Sequence, residues 1–140
     1  MITLHLGVID IPYESAKTTT GDVAEILEDN YKVMELFFDI NSRKIANLMA
    51  EDAAASLETM LASGVAPAEL FSESMSQIHH LFSTFLDEKK LDGQVGGVPT
   101  QASIEGRSKR FKHGKREPFR PSFIDTGLYQ NSMKAWVEKD

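Results

Sequence analysis

From residue 22 to residue 61 the chain reads DVAEILEDNYKVMELFFDINSRKIANLMAEDAAASLETML. Val23, Leu27, Tyr31, Met34, Phe38, Ile45, Met49, Ala53, Leu57 and Met60 fall mostly three or four residues apart, with one longer step across Asn41. That spacing draws one apolar stripe along a helix of period 3.6. A helix over 22–62 would be about 60 Å long, more than a small domain is wide, so it needs a partner along its length. Asp22 reads as its N-cap with Glu25 completing a capping box, and Glu25 and Glu28 suit the positive end of the helix dipole. A kink or short break is expected at Asp39-Ile40-Asn41-Ser42, where Asn and Ser side chains compete for backbone hydrogen bonds. Gly64 suits the helix end.

The partner lies just downstream. Pro67 fits a first helical turn, and Phe71, Met75, Ile78, Phe82 and Phe85 follow in steps of four, three, four and three. Leu70, Leu81 and Leu86 widen that seam, Lys89 and Lys90 suit its negative end, and Gly93 closes it. Helices at 22–62 and 67–91 with so short a link predict a long antiparallel αα-hairpin. Before them, Ile2, Leu4, Leu6 and Val8 alternate with Thr3, His5 and Gly7, the period of a half-buried strand, and Pro12 stops the ladder. A lone strand is not stable, so this one is expected to pair with another chain segment or another subunit; no second strand of that quality stands out, which makes the N-terminus a candidate for pairing between subunits. Residues 14–21 read as a polar linker.

Residues 94–122 hold Gly96, Gly97, Gly106, Gly114, Pro99, Pro118 and Pro121 with no apolar period, which describes an extended arm. Thr126 to Val137 reads as a short C-terminal helix, capped by Asp125, with Tyr129, Met133 and Trp136 on one face. The fold class is therefore mainly α, α+β at most. Residues 1–93 form the body, 94–122 the arm and 123–140 a capped terminal segment, within one domain.

The 140 residues carry a net charge of −6, but unevenly. Residues 1–93 hold 16 acids against 6 bases, whereas 94–122 hold 2 acids against 7 bases. The basic residues Arg107, Lys109, Arg110, Lys112, Lys115, Arg116 and Arg120 are interleaved with Phe111 and Phe119. Phosphate neutralisation with base stacking would use such residues, but an acidic body is at hand, and docking on protein is the stronger reading. There is no cysteine, hence no disulfide and no thiolate metal site. No apolar run is long enough for a transmembrane helix, and the start lacks the marks of a signal peptide, so an intracellular origin is the default expectation.

Catalytic patterns fail one by one. His79 and His80 are adjacent and point about 100° apart on a helix, unlike a zinc-binding pair at i, i+4; they read as a hydrophilic edge of the hairpin. Glu25, Glu28, Asp29, Glu51, Asp52 and Glu58 lack the Glu-x-x-His partners of a di-metal bundle and read as a solvated face. Gly114-Lys115 lacks the upstream glycine of a P-loop, and Gly96-Gly97 opens no helix. Neither a metal nor an organic cofactor is expected.

One stretch carries a family resemblance. Arg120-Pro121-Ser122-Phe123-Ile124-Asp125-Thr126-Gly127-Leu128-Tyr129, with Ser132 close behind, resembles a motif of tail-completion and minor tail proteins of long-tailed bacteriophages. There a basic, proline-containing segment leads into Asp-Thr-Gly, a Leu or Arg, and then a Ser, after a long helical region. The match covers Arg120, Pro121, Asp125, Thr126, Gly127 and Ser132. The resemblance implies a capped structural turn at these residues. It also implies a non-enzymatic virion subunit at the neck (head–tail connector) or tail, meeting other phage structural proteins and copies of itself in a ring-like homo-oligomer. Phe123, Tyr129 and Trp136 are the expected apolar anchors for partners, and Arg107, Lys109, Arg110, Lys112, Arg116 and Arg120 the expected charged contacts. One departure stands out: in those families the motif usually leads into further β-strands, whereas this chain ends at Asp140. Two rival readings remain. One is a small nucleic-acid-binding or regulatory protein using 107–120. The other is an aspartic protease, since Asp125-Thr126-Gly127 also resembles the active-site turn of that family, although the helical body and the bulky Leu128-Tyr129 fit it poorly.

Overall fold

The computed structural model describes residues 1–13, 17–100, 103–104, 122 and 127–139. The chain is mainly helical with one small antiparallel sheet. Strand β1 spans Ile2–Val8, and helices α1, α2 and α3 span Thr20–Tyr31, Val33–Ser63 and Ser72–Asp87. A short helix α4, Leu128–Ser132, leads without a gap into strand β2, Met133–Lys139.

The N-terminal strand finds its partner within the chain. β1 and β2 are antiparallel, from Ile2 opposite Lys139 to Val8 opposite Met133, and Ile9 N extends the ladder by donating to Ser132 O at 2.7 Å. Of the two partners open to β1 from the sequence, another chain segment or another subunit, the first is the one seen. The terminal helix expected over Thr126–Val137 is corrected, since helix persists only over Leu128–Ser132. The cause is a sequence with two periods: Tyr129, Met133 and Trp136 suit a helix, while Met133, Ala135 and Val137 alternate as a strand does. Seven ladder positions against β1, with Met133 and Ala135 buried on the core face, decide for the strand.

The long helix breaks, but at Lys32 rather than at Asn41. Lys32 sits in the left-handed region at φ 52°, closing α1 through a bond to Glu28 O and opening α2. Glu28 holds the break. Its two carboxylate oxygens accept from Met34 N at 2.8 Å and Glu35 N at 3.0 Å, capping α2 with a negative charge at its positive end. Asn41, where the kink was expected, is buried and donates to Phe37 O at 3.0 Å, so its side chain bonds back along an unbroken helix. The break also resets the helical phase. Val33 and Phe37 are fully buried, whereas Phe38 from the expected stripe is 42% exposed.

Helix starts shift for similarly local reasons. The N-cap of α1 is Thr19, and Asp22 is the third helical residue of a capping box: Asp22 N donates to Thr19 Oγ1 and Thr19 N to Asp22 Oδ2. Thr20, fully buried, fastens α1 to the end of β1 by donating to Ile9 O and accepting from Ile11 N. Gly64 ends α2 at φ 73°, as its sequence position suggests. α3 starts at Ser72 and stops at Asp87, inside the expected 67–91: Asp52 of α2 accepts from Ser74 N at the start, and Lys89 turns left-handed at φ 56° just past the end.

The core lies at one end of the molecule. Phe37 and Ile45 of α2 meet Ile78, Phe82 and Phe85 of α3, with Tyr129 of α4 and Met133 of β2 closing the cluster. Phe37 stands edge-on to Phe82 and Phe85 at 5.2 and 5.4 Å between ring centres. The far turns of α2 contribute nothing to it: Leu57 is 51% and Leu61 76% exposed.

Candidate functional site

Gly127 opens α4 at φ 78°, a backbone position that a Cβ disfavours, and Asn131 N returns to Gly127 O at 2.9 Å. Ser132, buried, donates its hydroxyl to Tyr129 O at 2.8 Å. Gln130 reaches across to the end of α3, donating to Ser83 O at 2.8 Å and Asp87 Oδ1 at 3.0 Å. One turn of helix is thus tied to α3 by side chain and to β1 by backbone. Nothing in the sequence marked Gln130 for this; its signal is only that a long amide follows the motif's Gly by three residues.

Tyr129, expected as a partner anchor, belongs to the chain's own core. It is 3% exposed and stands edge-on to Phe82 at 6.0 Å. Its hydroxyl has no hydrogen-bond partner among the described residues. Burial, and after it the negative charge of Glu28 and the nearby Tyr13, push the phenol well above its ordinary range.

Trp136 lies on the outer face of the sheet, half-buried. Its indole stacks on His5, directly opposite on β1, with ring centres 5.2 Å apart and planes 10° from parallel. Gly7 makes room for it: a Cβ there would come within 3.1 Å of the indole ring. Glu138 completes the group, 3.2 Å from His5 Nε2 and accepting from Trp136 Nε1 at 3.4 Å.

The histidine pair divides as its spacing predicts, with His79 half-buried and His80 exposed. His79 Nδ1 lies 2.6 Å from Met133 O, joining α3 to the start of β2. His80 instead lines a groove of about 630 Å³ between α2 and α3, with Lys44, Leu48, Glu51 and Leu81. At the other end of the chain, Asp10 accepts from Thr19 and from Gly21 N, and these bonds hold its carboxyl below the usual range.

Arg107, Lys109, Arg110, Lys112, Lys115, Arg116, Arg120, Pro121, Phe123, Asp125 and Thr126 lie outside the described residues, as does most of the expected basic arm. Of the six residues that carry the resemblance, Gly127 and Ser132 are described, and both belong to the α4 turn. Among the described residues no group of three or more His, Asp or Glu is placed to hold a metal ion, and no helix is long and apolar enough to cross a membrane. No protein-family model, curated protein or solved structure matches the chain.

Proposed function

We propose that this chain is a structural subunit of a tailed-phage virion, at the neck or tail, working through protein–protein assembly and without catalysis. The observation that supports it most is the passage from turn to strand. The resemblance at Arg120–Ser132 had one departure, the lack of strands after the motif. Residues 133–139 form one strand directly after Ser132, which narrows that departure.

The body suits such a role as a strut. In this reading α2 and α3 act as a long antiparallel hairpin. Its support is the order of their contacts: Phe37 with Phe82 and Phe85, Asp52 Oδ2 with Ser74 N at 2.8 Å, Ser56 Oγ with Leu70 O at 3.3 Å. The basic residues between Arg107 and Arg120 would supply electrostatic register on the acidic body of a neighbouring copy, a heterologous contact that closes into a ring. The site of action would be the virion, assembled in the host cytoplasm.

The test is a phage carrying a nonsense mutation in the gene for this chain, examined by electron microscopy. Filled heads and separate tails that fail to join, or tails of irregular end, are the expected result, with the protein recovered in wild-type particles. Complete infectious particles without it would overturn the reading. Salt-sensitive binding of DNA or RNA by the purified protein, lost when the seven basic residues are neutralised, would favour the nucleic-acid reading instead.

A further inference from the structure

Among the described residues the outer edge of β2 is unpaired, and the ladder shows which groups it offers. Because Ile9 N bonds Ser132 O, the hydrogen-bonded pairs are the odd residues of β1 with the even residues of β2. The backbone groups of Met133, Ala135, Val137 and Lys139 therefore point outward. His79 takes the first of these, Met133 O. From Ala135 onward the edge opens on a groove of about 520 Å³, whose other wall is Leu70, Phe71 and Met75 at the start of α3. Strands normally blunt such an edge with a charge turned inward, a proline or a bulge. β2 has no proline or bulge between Ala135 and Lys139, and Lys139, at its very end, is the one charge on the face of Ala135 and Val137.

We propose that this edge pairs with β2 of a second copy, antiparallel about a twofold axis through Trp136. The charges along the strand choose the occupant. With Trp136 opposite its equivalent, Lys134 of each copy stands directly opposite Glu138 of the other, and both residues are exposed on the outer face. The same register sets Ala135 opposite Val137 in each direction, both with outward-pointing backbone groups, so each bond between these residues has its partner. Their side chains extend the apolar underside of the sheet over Phe71 and Met75. A single residue's slip breaks both the bonding parity and the charge pairs. The product is a four-stranded sheet, β1-β2-β2-β1, which two strands alone cannot match for stability.

This deepens the assembly reading by naming the contact between copies, and rests on it. An isologous contact closes at two copies, so a ring would still need the second, heterologous contact. Sedimentation of the purified full chain across a concentration series, with amide exchange read residue by residue, tests it. A dimer is expected, with protection at Ala135 and Val137 that rises with concentration. Lys134→Glu or Glu138→Lys alone, each placing two like-charge pairs in the ladder, should weaken dimerisation about tenfold, and the double exchange should restore it. A strict monomer, exchange at Ala135 and Val137 that ignores concentration, or singles and double that behave alike each overturn the pairing. None of these touches the assembly reading, which stands or falls on the phage lacking this chain.

Discussion

Lys32 holds a conformation that costs an L-residue about 1–2 kcal/mol, since its Cβ crowds the following carbonyl. Its own ion pair to Glu35, at 3.2 Å between exposed groups, offsets little of that. What keeps the break is the Glu28 cap. Lys32→Gly is therefore expected to raise stability by about 0.5 kcal/mol, the strain relieved less the entropy glycine loses; denaturant unfolding reads it. Tyr129 gives the opposite lesson about a polar group. Its buried hydroxyl has no partner among the described residues, so Tyr129→Phe should be neutral or stabilise by about 1 kcal/mol. The sign with pH follows from the raised phenol. Tyr129 contributes fully below its unfolded pKa of about 10, and that contribution is lost as the pH climbs beyond. The alkaline fall in melting temperature should be shallower in Tyr129→Phe than in the natural chain. Equal slopes would mean that the phenol is not held neutral by the fold.

At the scale of elements, joints matter more than propensities. α3 and β2 meet through His79, whose ring nitrogen satisfies a carbonyl at the sheet edge. His79→Leu keeps the bulk and strands Met133 O, at a cost of about 1–2 kcal/mol; faster amide exchange along β2 should accompany the loss. His80→Leu, one position away on the groove side, should cost far less. These joints also explain how far the sequence could be read. β1 was legible because its alternation runs clean from Ile2 to Val8, and Ile78, Phe82 and Phe85 because their steps fit one helical face. β2 was not, since seven residues with Met133, Trp136 and Val137 satisfy both periods and only the opposing strand chooses. The break at Lys32 was equally hidden. It depends on a carboxylate reaching six and seven residues ahead, which no local pattern records. Of the site, Gly127 and Ser132 could be found from the motif, but Gln130, His79 and the stacked His5 act through contacts between distant segments.

For the molecule as a whole, stability is concentrated at one end. Phe82 is fully buried among Phe37, Phe85 and Tyr129, and Phe82→Ala should cost about 3–5 kcal/mol. Leu61, 76% exposed on the last turns of α2, should lose under about 0.5 kcal/mol on the same truncation. If both substitutions cost alike in thermal unfolding, the core has been drawn in the wrong place.

The sheet joins Ile2 to Lys139. A ribosome releases the first strand long before it has made the second. At roughly 5–20 residues per second, about ten seconds pass between the two. Through that interval the first strand is a nascent edge with no mate, while the helical contacts, closer in sequence, are free to form. Folding of this protein is thus set to end at the earlier-made of its two strands, and on a crowded polysome the waiting strands of neighbouring chains are the ones at risk of finding each other first.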